Sequence, residues 1–505
     1  MVGTVRLSSA RLLGWAAVGG ISAAILTFIV ISAAGPSAAV VTMPAPAVGP
    51  PWWFSLHFTR ETVTIALRAA TLAGGAGTAA GLAAIANGAR PAPKLLLGLA
   101  LAAVAALTVL PPAGSSDALD YAVYGRSVVI GRNPYVTTPA ELRHAGDPIG
   151  KAAPGAWAHK HSPYGPLGTA EQAAVAELGG TSVARITFWL KLWNALAFCA
   201  IAIGLDRLLR SDPARRARAC LLWSLNPLLL WNLVGGGHLD ALAAAFGFFG
   251  LVLVAVRPPD TEPSARACLA GGALVGAAAD MKIDFVLFVL ALAWMTRLSP
   301  RNLAAVATGA LAVLVPSYLW FGTPAVAVLV NRSTRISRDN IYQLFSRPFG
   351  VSVPAHLVLI MLIVVPLFVA VAVLLAARLP DGDPSRPAVR TALALSVAWL
   401  LVWPFQFPWY DAIAMCLLAL YPPSRLDWPV LARQVAGTLF YMPGLAIGMD
   451  EGWPGVFTHA EHYALVPIIR LAALAAVVAL AISGAWHAKA GPPAGQPSAQ
   501  MADAQ

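Results

Sequence analysis

About 14 apolar runs, separated by short charged or Pro/Gly-rich breaks, make up most of the chain. Many of them reach the roughly 20 residues that a helix needs to cross a bilayer. Only 11% of the 505 residues are charged, whereas soluble domains carry about 25%. Because the bilayer offers the backbone no hydrogen-bond partners, such runs form helices. The sequence therefore predicts an all-α polytopic membrane protein with about 12–14 transmembrane helices.

The positions of the runs predict how the chain is divided. The spans begin near Leu12, Thr62, Lys94, Val183, Ala217, His238, Ala265, Asp284, Leu303, Pro354, Thr391, Pro408, Trp428 and Tyr463. The first run has no convincing signal-peptide cleavage site and is interpreted as a retained span. One membrane domain, 12–489, lies between a cytoplasmic N-terminus, 1–11, and a disordered cytoplasmic tail, 490–505, rich in Pro, Gly, Ala and Gln.

The composition limits the class of protein further. The formal net charge is +11, which fits basic cytoplasmic loops in a plasma-membrane protein better than a nucleic-acid partner. The abundance of Ala and Gly favours close packing between helices. The cysteines show no spacing typical of a zinc site or a disulfide, and all lie in or beside apolar runs: Cys199, Cys220, Cys268 and Cys416.

The basic residues also predict the orientation. Alternate loops carry the arginines and lysines, which places both termini in the cytoplasm. The opposite, extracytoplasmic side then holds two long loops, 113–182 and 322–353. Helical spacing in the first loop predicts two amphipathic helices along the membrane surface, Ala118–Ile130 and Gly168–Leu178.

Two acids at the start of the first long loop are the catalytic candidates. Asp117 and Asp120 directly follow an apolar span, where charge is costly unless it has a function. A carboxylate there could act as a general base toward a hydroxyl. Alternatively, both acids simply cap the helix that begins at this point. Asp117 is the stronger candidate.

Two turns on the same side carry polar and aromatic groups. In the turn 162–167, prolines fix the backbone beside Tyr164, which could contact a sugar or only pack. Three glycines, 235–237, precede His238 and Asp240, which begin the next helix. His238 could contact a ligand, or the turn could serve only to connect two helices.

Basic groups on this side suggest an anionic partner. Lys282 lies between Asp280 and Asp284, either in a neutralised structural cluster or in contact with a phosphate. Arg332, Arg335 and Arg338 repeat every three residues, so a helix would place them on one face. They suit either the phosphate of a donor or the headgroups of anionic lipids.

The run 403–411 places five aromatic residues in one external turn, among them Trp409 and Tyr410. Trp and Tyr often form a belt at the membrane interface; alternatively, they form a platform for a sugar or an isoprenoid chain. The alternating His159 and His161 are more typical of solvent-facing residues than of metal ligands. No cofactor is assigned, and a divalent metal is left open.

The ordered set of motifs resembles the polyprenyl-phosphate-mannose-dependent α-1,6-mannosyltransferases of actinobacteria, which are GT-C-type membrane glycosyltransferases. The resemblance rests on Ser116 to Tyr121 with Asp117, Asn133-Pro134-Tyr135, the turn 162–167, Asn226-Pro227-Leu228, Val234 to His238, and Pro408-Trp409-Tyr410. The resemblance extends from about residue 110 to residue 411. The second acid, Asp120, departs from the family pattern. The chain also carries no large soluble C-terminal domain, unlike oligosaccharyltransferases of the same superfamily.

The resemblance implies an extracytoplasmic active site, a polyprenyl-phosphate-linked mannose donor, and a mannan or lipoglycan acceptor of the cell envelope. The resemblance makes Asp117 the catalytic aspartate, with Asp120 as a second candidate beside it. Donor phosphate contacts are assigned to Lys282, Arg332, Arg335 and Arg338. Sugar and acceptor contacts are assigned to Tyr121, Tyr135, Tyr164, His238, Trp409 and Tyr410.

Two alternatives stay open. Another lipid-linked sugar, arabinofuranose or glucose, would use the same machinery, because selectivity depends on a few hydrogen bonds. A lipid-linked sugar flippase or transporter would also need many spans and buried charges. Against transport, the sequence shows no internal repeat, and its polar residues gather on one side.

Overall fold

The computed structural model describes residues 2–154, 157–255, 261–332, 357–380, 387–444 and 461–487, together with 337, 340–342 and 344. Secondary structure in these ranges is helical, apart from one isolated bridge between Val40 and Ala113. The predicted all-α membrane fold is confirmed.

The helices, in chain order, are α1 Val2–Ala34, α2 Arg60–Ala86, α3 Pro93–Thr108, α4 Asp117–Val129, α5 Pro139–His144, α6 Pro166–Gly179, α7 Val183–Leu208, α8 Pro213–Ala219, α9 Pro227–Leu229, α10 Asp240–Ala255, α11 Ala265–Met281, α12 Val286–Thr296, α13 Pro300–Phe321, α14 Thr323–Arg332, α15 Leu357–Arg378, α16 Pro387–Val402, α17 Ala412–Leu420, α18 Asp427–Phe440 and α19 Val466–Ser483. Short π-helical segments follow α8 and α9 and precede α19, at Cys220–Ser224, Leu230–Gly235 and Glu461–Leu465. Single 3₁₀ turns occupy Gly150–Ala152, Ile283–Phe285 and Pro408–Asp411.

The predicted span starts agree closely with these bounds. Each lies within about four residues of a helix start, except the first, because α1 already begins at Val2. Six of the described helices are long and apolar enough to cross a membrane, and a pair bent by 117° between Gly235 and Asp240 adds a seventh candidate. Four further apolar helices have 10–17 residues. The total of 12–14 spans stays a prediction.

Small residues bring membrane helices close together, as the composition predicted. A side chain at Gly272 of α11 would meet the carbonyl oxygen of Val306 at 2.3 Å, and one at Gly309 of α13 would meet that of Leu269 at 2.1 Å. Only glycine fits at either contact. The two helices are therefore packed backbone against backbone, as in small-xxx-small interfaces.

The first long loop contains the two predicted helices, α4 and α6, but they are not laid along an open surface. In α4, every residue from Asp117 to Gly125 is buried, because the helix packs against both α6 and α7. The loop is thus a folded cap on the bundle, and Asp117 and Asp120 face the interior.

Lys191 of α7 fixes the chain just before α4. Its side chain is buried, and Nζ donates to the carbonyl oxygens of Leu107 at 2.6 Å, Leu110 at 2.7 Å and Pro111 at 3.2 Å. These carbonyls lie at the end of α3 and just beyond it, where helical partners are no longer available. The ammonium group therefore ties the end of α3 to α7.

Candidate active site

A cavity of about 450 Å³ lies where α4, the turn 162–165, the end of α11 and the aromatic turn 405–410 meet. Its wall contains both predicted acids and the predicted lysine. The lining residues are Asp117, Asp120, Tyr124, Trp157, Pro163, Tyr164, Lys282, Phe405, Phe407, Trp409 and Tyr410. Sequence motifs that are far apart along the chain thus form one site.

Asp117 is paired with His238. Because the carbonyl of Asn232 can only accept, Nδ1 of His238 carries a proton and donates it there. The other ring nitrogen, Nε2, lies 3.6 Å from Asp117 Oδ2. With Nδ1 alone protonated, Nε2 would turn a lone pair toward a carboxylate. At 3.6 Å the two atoms are in close contact but beyond hydrogen-bond range, and the contact is attractive only with a proton on Nε2.

The glycine turn gives His238 this position. A side chain at Gly236 would approach ring atoms of His238 to 2.6 Å. Gly237 has a φ of +68°, in the left-handed region, and a side chain there would lie 2.9 Å from Lys191 Cγ. The close approach that Gly236 allows is to the histidine ring itself.

Lys282 is paired with an acid that the sequence did not suggest. Its Nζ lies 2.6 Å from Oδ1 of Asp240 and 3.5 Å from the centre of the Tyr410 ring. The described ion pair thus joins Lys282 to Asp240, instead of to the neighbouring Asp280 or Asp284. Asp240 is 1% exposed, so its charge depends on this partner.

The aromatic turn forms a stack behind Asp117. The rings of Phe407 and Trp409 are 4.8 Å apart, and those of Trp409 and His238 are 3.8 Å apart, both nearly parallel. Trp409 is 3% exposed, so it does not face lipid as a belt residue would. Arg433 holds the turn in place through an ion pair to Asp411 and a bond of 3.0 Å to Gln406.

The turn 162–165 is pressed against the end of α11. The N–H of Gly165 donates to the carbonyl of Met281, and a side chain at Gly165 would overlap the carbonyl oxygen of Asp280. Glycine is therefore required at this contact. It places Tyr164 in the cavity wall beside Lys282.

Three of the six predicted sugar contacts line the cavity, namely Tyr164, Trp409 and Tyr410. The other three, Tyr121, Tyr135 and His238, are buried behind its wall. The hydroxyl of Tyr135 donates to the carbonyl of Tyr164, so it braces the turn instead of facing the cavity. Burial raises the pKa of Tyr121 well above its ordinary value, so its hydroxyl stays neutral.

A second, mostly apolar cavity of about 1120 Å³ adjoins the first. The two share the residues Pro163, Tyr164, Lys282, Phe405 and Tyr410. Beyond them, the second cavity is bounded largely by apolar side chains of α12, α15 and α16, such as Leu287, Phe368 and Trp399. Lys282 therefore lies at the boundary between a polar and an apolar compartment.

Some predicted residues cannot be placed, and some placed residues were not predicted. Arg335 and Arg338 lie outside the described residues, and of Arg332, which ends α14, only the backbone is described. Trp157 and Tyr441 were missed. Trp157 lines the polar cavity, and the ring of Tyr441 contacts Trp409 at 5.0 Å. Neither belongs to a motif that would have singled it out.

Curated relatives share one activity in their names. The alpha-(1->6)-mannopyranosyltransferase B of Corynebacterium glutamicum is 26% identical over 150 residues, which are 30% of this chain and 25% of the relative. A probable alpha-(1->6)-mannopyranosyltransferase of Mycolicibacterium smegmatis is 26% identical over 211 residues, 37% of this chain and 38% of the relative. The matches therefore span less than two fifths of either relative's length. No solved structure matches the chain significantly.

A family model covers a larger part. Residues 17–298 match the N-terminal domain of the alpha-(1->6)-mannopyranosyltransferases. This range includes Asp117, Tyr164, His238 and Lys282, and it ends before the aromatic turn. Because it is more than half of the chain, the protein belongs to the alpha-(1->6)-mannopyranosyltransferase family, as the resemblance of its motifs implied.

Proposed function

We propose that the protein transfers mannose from a polyprenyl-phosphate donor to a mannan or lipoglycan acceptor of the cell envelope, forming an α-1,6 linkage with inversion. One observation carries the proposal: an acid-lined cavity and a mostly apolar cavity, whose lining also includes Asp284, share Lys282 in their common wall. A lipid-linked sugar has a matching arrangement, because its phosphate joins a polar sugar to an apolar hydrocarbon chain.

The donor fits the two cavities in one direction. The mannose lies in the polar cavity near Asp117, the phosphate lies at Lys282, and the first isoprene units enter the apolar cavity. The aromatic side chains of Tyr164 and Trp409 offer flat apolar faces to a sugar ring. The basic loops predict that this end of the bundle is extracytoplasmic, at the outer face of the plasma membrane.

The chemistry then requires one base and one cation. Asp117 takes the proton of the acceptor hydroxyl while the oxygen of that hydroxyl bonds to the anomeric carbon of mannose. The bond from that carbon to the phosphate oxygen breaks on the opposite face, and the lipid phosphate leaves with the electron pair. Lys282 stabilises the charge that grows on this oxygen. His238 keeps Asp117 oriented from behind.

Purified protein in detergent, supplied with synthetic polyprenyl-phosphate mannose and a short α-mannoside, tests the proposal. We expect a mannoside lengthened by one residue, with its new linkage identified by mass spectrometry and NMR. Detergent removes any membrane gradient, so product formation also excludes obligate transport. Turnover only with arabinofuranose or glucose donors would overturn the sugar assignment, and no turnover with any donor would overturn the proposal.

His238→Gln provides a separate test of the pair with Asp117. We expect kcat to fall about 10–100-fold, because the base loses the side chain that packs 3.6 Å from it, and a small displacement of a catalytic group can lower the rate by up to about 10²-fold. The KM for donor should change little, since His238 lies behind the cavity wall.

The double variant Asp117→Asn/His238→Gln separates this role from a sugar contact. If His238 acts only through Asp117, the double variant should be no slower than Asp117→Asn alone. Losses that multiply would show that His238 acts independently of Asp117.

A further inference from the structure

A third cavity lies at the opposite end of the bundle from the active site. It holds about 1200 Å³ of empty space, open on one side, and is bordered by the first half of α1, the end of α2, the start of α3 and the π-helical segment after α8. From this cleft α1 runs toward the active site, where Ala39 accepts a hydrogen bond from Gly114, just before Asp117. The cleft is therefore separate from the proposed reaction.

The cleft is apolar inside and basic at one end. Side chains such as Ala17, Leu96 and Leu221 line its interior. Two arginines, Arg11 and Arg90, belong to the same lining, which includes no acid among the described residues. Both are exposed, and Arg90 donates to the backbone carbonyls of Ile85 and Ala89. Within the described part of the chain, no carboxylate forms an ion pair with either arginine, so the rim keeps its positive charge.

We propose that this cleft binds one anionic phospholipid, with an acyl chain between α1, α2 and α3 and the phosphate at Arg11 and Arg90. The apolar depth fits a hydrocarbon chain, because removing methylene groups from water is favourable. The two guanidinium groups fit phosphate oxygens. The charge complementarity favours phosphatidylglycerol-like lipids over zwitterionic ones.

Two glycines of α1 allow a matched test. A side chain added at Gly14 or at Gly19 meets nothing within 4 Å, so larger residues fit the backbone at both. Gly14 lines the cleft and Gly19 does not. Gly14→Phe should therefore fill the cleft without disturbing the fold, and Gly19→Phe is its control on the same helix.

The experiment uses full-length protein in nanodiscs made of equal parts phosphatidylglycerol and phosphatidylcholine, with native mass spectrometry of the lipids retained after ejection. The wild type and Gly19→Phe should keep one phosphatidylglycerol, preferred roughly 30-fold, since each arginine near an anionic headgroup contributes a factor of about five. Gly14→Phe should lose this lipid.

Arginine variants test the headgroup contact. Arg11→Ser/Arg90→Ser should retain either lipid without preference, whereas Arg266→Ser/Arg301→Ser, which removes two exposed arginines elsewhere, should behave as wild type. Equal retention of the two lipids by the wild type, retention by Gly14→Phe as in the wild type, or loss in Gly19→Phe would each overturn the proposal.

Discussion

Asp117→Asn is expected to lower kcat by about 10²–10⁴-fold, the usual contribution of a general base. Asparagine has nearly the same shape but cannot accept the proton of the acceptor hydroxyl. The thermal unfolding midpoint should stay near that of the wild type, because the side chain lies in a cavity wall and its volume is unchanged. Initial rates with synthetic lipid-linked mannose measure the effect.

Asp120→Asn is the matched control. Asp120 lines the same cavity and lies one helical turn along α4, but the structure pairs His238 with Asp117. The fall in kcat of Asp120→Asn should therefore be smaller than that of Asp117→Asn. Wild-type turnover by Asp117→Asn would refute the assignment of the base, and a larger loss in Asp120→Asn would transfer that role to Asp120.

Lys282→Met should impair the protein in two ways. Removing the cation next to the donor phosphate is expected to lower kcat by about 10²–10³-fold, as when a transition-state donor is lost. It also leaves Asp240 buried without a partner, which is expected to destabilise the fold by roughly 3–5 kcal/mol. The first effect appears in rates per folded molecule, and the second in thermal unfolding.

The double variant Lys282→Met/Asp240→Asn separates the two effects. Neutralising both partners removes the buried unpaired charge, so most of the lost stability should return. Transfer should remain as slow as in Lys282→Met. Recovery of turnover together with stability would show that Lys282 is only a structural partner of Asp240, and the assignment to the phosphate would fail.

The sequence predicted the elements better than their contacts. Helix starts followed from local composition, because an apolar run needs a helix wherever it meets lipid. The pair of Lys282 and Asp240 joins residues that are 42 positions apart. Local charge pattern suggested Asp280 and Asp284 instead, since only three-dimensional packing brings α10 to the end of α11.

The same difference between sequence position and three-dimensional contact applies to the predicted tyrosines and to His238. Motif membership grouped Tyr121, Tyr135 and His238, which the structure places in the buried layer around the polar cavity. The sequence does not indicate on which side of a cavity wall a ring lies. Here the hydroxyl of Tyr135 and Nδ1 of His238 donate hydrogen bonds to backbone carbonyls instead of facing the cavity. Trp157 is the opposite case: it lines the cavity, but no motif in the surrounding sequence singles it out.

The bond of Lys191 to the end of α3 fixes the position of Asp117 relative to α7. Because one ammonium group of α7 binds carbonyls at and just beyond the end of α3, the segment leading to Asp117 cannot shift along the bundle independently of α7. In the reaction proposed above, the base would therefore keep one height in the bundle during every transfer. An acceptor of any length would have to bring its terminal hydroxyl to that same plane.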